Sequence, residues 1–233
     1  RRVLFRSRAS VEPFKDFRID VSANRNFTEN FSEYFHVDEI GNVEHYTPQR
    51  SGSFSMTYCG LGTFFKKHDD LFQEFRAIRG QLSERYAQNN PNYTGEVDPE
   101  TGFPIGYSAI SQDVLMGAFF TTYLNKDSQK ANIFSPFLKI PLPNWRVNYN
   151  GLTKIKGMNK VFQSFSLTHS YSCNYNVSGY STNISYTEEN GYPNAYNNLG
   201  DFIASNELSQ MALSEQFTPL IGFDMTLKNS MLL

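Results

Sequence analysis

Apolar and polar side chains alternate one for one in segments far apart along this chain, and that period of two constrains its fold more than any other feature. Phe17, Ile19, Val21 and Ala23 alternate with Arg18, Asp20, Ser22 and Asn24. Phe54, Met56 and Tyr58 alternate with Ser53, Ser55 and Thr57, and Trp145, Val147 and Tyr149 with Arg146, Asn148 and Asn150. The longest run sets Phe165, Leu167, Tyr171, Cys173, Tyr175 and Val177 against Ser164, Ser166, Thr168, Ser170, Ser172, Asn174 and Asn176. A last run sets Ile221, Phe223, Met225 and Leu227 against Gly222, Asp224, Thr226 and Lys228. Successive side chains on a strand point to opposite faces. Each segment is therefore a strand with one apolar and one wet face, as in an antiparallel sheet with core or lipid on one side and water on the other.

Between these runs the pattern changes. A first strand over residues 14–35 is followed by a reversal at Asp38-Glu39-Ile40-Gly41-Asn42 and a returning strand over 43–61, which makes residues 8–62 a long hairpin. Arg25 interrupts the apolar face of the first strand and marks a bulge, or the point where the strand leaves an apolar band. Residues 63–143 read as a helical and loop insertion. Leu71, Phe75, Ile78 and Leu82 have helical spacing, with Asp70 and Gln73 as a capping pair for a helix over 70–87. Ser111 caps a second helix over 112–124, and Pro136, Pro141 and Pro143 return the chain to extended structure. Strands resume over residues 144–150, 161–178 and 208–227, the last bent at Pro219, with a long loop near 179–206.

The 233 residues carry a net charge of −2, from 21 basic and 23 acidic side chains with no basic block, so nothing favours a nucleic-acid partner. Only 19% of residues are charged, against 21 Phe and 14 Tyr and many Asn and Ser, a balance that suits a β-rich envelope protein. No apolar run approaches the roughly 18–20 residues of a membrane helix, whereas a barrel strand needs only about 9–11. His36, His45, His68 and His169 lack metal-ligand spacing. Asp98 and Glu100 do not match a calcium loop, and Gly60-Leu61-Gly62 is no dinucleotide fingerprint. No strained serine elbow is present. These residues therefore point to no catalytic group, metal or cofactor. Cys59 and Cys173 follow opposite registers and read as two separate structural thiols.

Two expectations concern the ends. Val3-Leu4-Phe5-Arg6-Ser7 looks like the translated end of a sequencing adapter, so residues 1–7 are expected to be non-native. The stop at Ser230-Met231-Leu232-Leu233, directly after an alternating run, is expected of a truncated slice of a longer protein. On alternation alone, a transmembrane barrel wall and a soluble β-sandwich remain equally open.

Several segments resemble the gliding-motility and type IX secretion outer-membrane translocon family, SprA or Sov. They are Val11-Glu12-Pro13-Phe14-Lys15-Asp16-Phe17-Arg18-Ile19-Asp20, Asn30-Phe31-Ser32-Glu33-Tyr34-Phe35, Ile140-Pro141-Leu142-Pro143-Asn144-Trp145-Arg146-Val147, Phe162-Gln163-Ser164-Phe165-Ser166-Leu167-Thr168-His169-Ser170-Tyr171, and Gln216-Phe217-Thr218-Pro219-Leu220-Ile221-Gly222-Phe223-Asp224. The third and fifth are the most specific, since alternation alone does not produce them. The resemblance covers nearly everything from Val11 onward.

It implies a mainly β chain whose antiparallel strands form part of the wall of a very large transmembrane β-barrel, with a helical insertion between strands. It implies a non-enzymatic role in the cell outer membrane of Bacteroidota: conducting folded cargo, gliding adhesins among it, to the cell surface. The partners implied are secreted cargo with a C-terminal signal domain, a PorV-like associated barrel, plug or periplasmic accessory proteins, and outer-membrane lipid. Phe17, Ile19, Val21, Phe54, Met56, Trp145, Val147, Tyr149, Phe165, Leu167, Tyr171, Ile221, Phe223 and Met225 would then face lipid. Arg18, Asp20, Ser22, Asn24, Arg146, Asn148, Ser164, Ser166, Thr168, Ser170, Asp224 and Thr226 would face the lumen. Trp145, Tyr149, Tyr171 and Tyr175 would contribute to an aromatic girdle, and the insertion would pack in or over the lumen or dock a partner. The rival readings are a porin or TonB-dependent transporter fragment, and a soluble β-rich module binding carbohydrate.

Overall fold

The computed structural model describes residues 1–126 and 135–228. It is mainly antiparallel β and is built on one eight-stranded sheet. The strands are β1 (Arg2–Phe14), β2 (Phe17–Val37), β3 (Val43–Thr57), β4 (Asn144–Tyr149) and β5 (Phe162–Thr182), followed by β6 (Glu188–Glu189) and β7 (Tyr192–Pro193), which form a small separate ladder. The sheet is completed by β8 (Asn206–Leu208), β9 (Met211–Phe217) and β10 (Gly222–Leu227). The helices are α1 (Leu61–Phe64), α2 (His68–Asn89), α3 (Gln112–Tyr123) and α4 (Met158–Val161).

The pairing reduces to a simple meander. The outer half of β2 pairs with β3 (Val37↔Val43 to Arg25↔Met56) and its inner half with β4 (Ser22↔Asn144 to Phe17↔Tyr149). β5 repeats this from the other side, with Thr57↔Asn174 and Trp145↔Tyr171. β3 and β4 are thus two pieces of one strand line, interrupted by residues 58–143. The break is stitched rather than left open. Leu142 N–H donates to the Thr57 carbonyl at 3.1 Å, Asn24 N–H donates to Thr57 Oγ1 at 3.0 Å, and Cys173 N–H donates to Asn144 Oδ1 at 2.9 Å. Backbone groups left unpaired there would each lose a hydrogen bond's worth of free energy. β8, β9 and β10 form another segmented line along the far edge of β5, stepping at the expected Pro219 bend. Every strand line therefore neighbours the next in sequence, the arrangement of an up-and-down sheet.

Arg25 sits in unbroken register with Phe5 on one side and Met56 on the other, so the expected bulge is absent there. Its guanidinium instead donates from Nε to the Leu138 carbonyl at 2.8 Å and lies 5.1 Å from the centre of the Phe54 ring. A charge on an apolar register is tolerated because a carbonyl and a π face receive it. The reversal after β2 is held by Asp38 Oδ1, which accepts from Ile40 and Asn42 N–H at 2.9 and 2.7 Å, with Gly41 at φ +90. The segment expected to be non-native pairs with β2 from Arg2↔Thr28 to Ser7↔Ala23. Such pairing is open to any extended chain and has no bearing on origin.

The excursion at 58–143 folds into a helical module. α2 begins at His68, with Lys67 as N-cap, so Asp69 and Asp70 complement the helix dipole from the first turn instead of capping, and Ser111 makes no side-chain cap bond on α3. The two helices share a core of Ile78, Leu82, Tyr86, Ala87, Tyr107, Val114, Ala118 and Phe202. The loop after β5 is tied to them: Asn90 Nδ2 donates to Tyr107 Oη and the Pro193 carbonyl, both at 3.0 Å. Asp201 accepts from Ser108 N–H at 2.7 Å and from Ser108 Oγ at 2.8 Å. A second core joins module to sheet, setting Met116, Phe120 and Leu124 of the α3 region on Phe54, Met56, Tyr58, Tyr171, Cys173, Tyr175 and Val177. Both thiols are free. Residues 229–233 lie outside the described residues.

Candidate functional site: a two-faced wall

Directly opposed residues in an antiparallel pair share a face of the sheet, so the register sorts the side chains. One row joins Val21, Trp145, Tyr171 and Phe217; the next joins Ile19, Val147 and His169; a third joins Phe17, Tyr149, Leu167 and Phe223, with Phe165 and Met225 beyond. In the other direction lie Arg25, Met56, Tyr175 and Leu213, then Phe27, Phe54, Val177 and Met211. The opposite face carries Asp20 across from Arg146, itself across from Ser170. Arg18, Asn148 and Thr168 form the adjacent row, Ser22 pairs with Asn144, and Ser164 and Ser166 oppose Thr226 and Asp224. Asn24, opposite Arg6, is on the same polar face. The two residue sets named from the sequence therefore occupy opposite faces of one sheet. Ile221 falls in the step between β9 and β10, exposed and outside the ladder.

The polar face is recessed. A hollow of about 870 Å³ is lined by Arg8, Ser10, Arg18, Asp20, Ser22, Asn144, Arg146, Ser170 and Ser172, together with Ala9, Val21, Trp145 and Tyr171. Ser10 Oγ donates to Asp20 Oδ1 at 2.7 Å, and Arg18 pairs with the same carboxylate at 2.9 Å. These groups are exposed, so the ion pair adds little stability. Their effect is to keep a hydroxyl- and guanidinium-lined surface wet.

The apolar face is divided. Its outer half is sealed by the module: Phe54 is 1% exposed, Met56 0% and Tyr171 1%. Lipid cannot reach these three side chains, nor the fully buried Tyr175, which corrects the lipid-facing and girdle expectations for them. The insertion packs on this apolar face and not over the polar one, because the Phe-rich sides of α3 find matching apolar rows only there. The inner half, from the Ile19 row toward Phe165 and Met225, is not covered by the module; the turn Gly151–Lys154 packs there only against the Tyr149 ring.

Two polar residues that the alternation overlooked sit on the apolar register. His169 accepts from Trp145 Nε1–H through Nε2 at 3.2 Å, which leaves its proton on Nδ1, 2.6 Å from the Leu220 carbonyl. Glu215, opposite Cys173, accepts from the Tyr171 hydroxyl, which itself accepts from Gly60 N–H at 2.9 Å. Both side chains are half-buried and each has a hydrogen-bond partner, as removal from water requires. The gap in the apolar series at position 169 was the available signal in the sequence. Among the described residues no cluster of three His, Cys, Asp or Glu side chains is placed to hold a metal ion, and no helix is long and apolar enough to cross a membrane.

Neither a family model nor a curated protein matches the chain.

Proposed function

We propose that this chain is a stretch of wall of a large outer-membrane β-barrel, the protein-conducting channel of a type IX secretion system, which passes folded cargo to the cell surface without covalent chemistry. The observation that carries this reading is the combination of a meander of strand lines with two segregated faces, of which the polar one is hollowed. A wide barrel needs a wet concave lining and an apolar exterior, and its closure satisfies every backbone group within lipid. The segment resemblance described above supplies the identity of the channel; the wall geometry alone equally suits a porin. Cargo bearing a C-terminal signal domain, a PorV-like barrel and plug or periplasmic accessory proteins are the partners in this reading.

The connections support an orientation. β1 and β2 are joined by two residues, and β4 and β5 by the twelve residues 150–161, which hold a 3-10 turn (Gly151–Lys154) and α4, at one end of the sheet. The insertion, the projecting β2–β3 ribbon and the long loop after β5 leave from the other end. Outer-membrane barrels have short periplasmic turns and long external loops, so the module belongs outside the cell.

Cysteine labelling in the full-length protein, in intact outer membrane, tests the wall. Cysteines at Asp20, Asn148 and Ser166 are expected to react with a water-soluble maleimide, while those at Ile19, Val147 and Leu167 are protected from it but reached by a lipid-phase probe. Equal reactivity of the two sets with the aqueous reagent would remove the membrane reading and favour a water-soluble β-module.

A further inference from the structure

We infer that the helical module stands outside the barrel wall on the bilayer surface, and that α1 with the turn after it, Phe64-Phe65-Lys66-Lys67, lies in the lipid headgroup layer. The inference rests on the outer-membrane reading above and adds a location for the bilayer boundary.

The uncovered part of the apolar face runs along residues 162–170 of β5, nine residues ending just short of Tyr171, which the module buries. A tilted strand crosses the hydrocarbon core in about 9–11 residues. The module therefore starts where a bilayer seated on the short-turn end would stop. Were it placed lower, it would compete with lipid for the same rows. Arg25, the one cation on the apolar register of β2, lies beyond this line and beneath the module.

Trp145 stacks on Tyr171, with ring centroids 4.3 Å apart, and Tyr171 meets Phe217 at 5.1 Å. Phe217 is met edge-on by Phe64 at 4.7 Å and approached by Phe65 at 6.1 Å. An aromatic band thus continues from the wall onto the module. Aromatic rings concentrate where hydrocarbon meets water; Trp145, Phe217, Phe64 and Phe65 are the accessible members of this band, and the buried Tyr171 joins Trp145 to Phe217 beneath them.

Phe65 is 72% exposed at the edge of the module, and Phe64 and Leu61 are each 38% exposed. Lys66 and Lys67 follow directly. Lys66 pairs with Glu74 at 2.9 Å, while Lys67 forms no ion pair among the described residues. Exposed phenyl rings flanked by lysines are matched by a lipid surface, which takes the rings at the acyl boundary and presents phosphates to the ammonium groups. A soluble protein partner would cover the rings but has no reason to end at the row where the apolar wall is laid bare.

Depth-dependent quenching separates the possibilities. In a cysteine-free background of the full-length protein, reconstituted in phosphatidylcholine–phosphatidylglycerol vesicles, a bimane is attached at Phe65→Cys, Leu167→Cys or Ile110→Cys. Quenching by lipids carrying a nitroxide on the headgroup is compared with quenching by lipids carrying it deep in the acyl chain. The inference expects the label at 65 to be quenched several-fold more by the headgroup nitroxide, the label at 167 by the deep one, and the label at 110, on the far end of the module, by neither. A deep-quenched label at 167 with no lipid quenching at 65 overturns the inference and leaves the wall intact. Stronger deep than headgroup quenching at 65 also overturns it. No quenching at any site removes the outer-membrane reading itself.

Discussion

At the scale of single residues, the chain shows how a two-faced sheet admits polar atoms on its apolar side. His169, Glu215 and Arg25 each break the alternation, and each is given a partner from outside its own strand: the Leu220 carbonyl, the Tyr171 hydroxyl and the Leu138 carbonyl. The module tolerates a stronger exception. Asp113, in the first turn of α3, is buried, and burial pushes its carboxyl up to about 6 from an ordinary 3.8. A carboxyl whose folded-state value is raised favours folding only while protonated. Stability of the module should therefore fall as pH rises from about 4 through 6, by up to about 3 kcal/mol. In Asp113→Asn that slope should be lost. Hydrogen exchange of α2 and α3 at pH 5 and pH 8 checks both statements; a slope that persists in the variant would assign the effect elsewhere.

At the scale of elements, the decisive contact is the crossing of α2 and α3. Gly117 lies where a Cβ would stand 2.5 Å from Tyr86 Oη and 2.9 Å from Leu82 Cδ1. Glycine costs a helix interior about 1 kcal/mol relative to alanine, yet overpacking a core costs about 1–3 kcal/mol. Both obstructing atoms belong to buried side chains, so the crowding should win and Gly117→Ala should destabilise the module. Increased exchange of α3 amides in the variant is the expected result; greater protection would mean that the helices can separate freely. Met116 and Phe120 hold α3 against the sheet, and its first residue, Gln112, is fixed there by an amide that donates to the Asn206 carbonyl at 2.5 Å and accepts from Leu208 N–H at 2.9 Å. One side chain thus serves the free edge of β8 as a strand partner would.

At the scale of the whole molecule, the described sheet has open edges at β1 and along the β8–β10 line, and broad exposed apolar rows that include Val11, Phe14, Phe223 and Met225. Unpaired edges and exposed apolar area both drive association in water. Residues 8–233 expressed alone should therefore aggregate without detergent. A soluble, cooperatively unfolding monomer would instead show that the apolar rows are closed by the chain itself, and with it the wall reading would lapse. The β2–β3 ribbon adds to this exposure. Beyond the reach of β1 and β5 it carries Phe31, Tyr34, Phe35 and Tyr46 in the open, and a lone two-stranded ribbon is marginal in water.

The sequence by itself determined the alternating strands from β2 onward and their faces, because the side-chain period of a strand is fixed by backbone geometry and no tertiary contact is needed to state it; β1 (Arg2–Phe14), which it did not mark as a strand, is fixed by pairing with β2. Ile19 against Asp20 and Leu167 against Ser166 were legible for that reason. It determined α2 and α3 to within a few residues by the same logic of period. It did not determine that β3 and β4 are one strand line, since 86 residues of excursion separate Thr57 from Asn144 and only the shared edges of β2 and β5 reveal their alignment. Nor did it determine which apolar rows are open. Phe54 and Phe165 have the same local pattern, yet one is sealed beneath α3 and the other is not. Alternation records that a side chain avoids water; what takes the place of water is decided by the element that folds back over it.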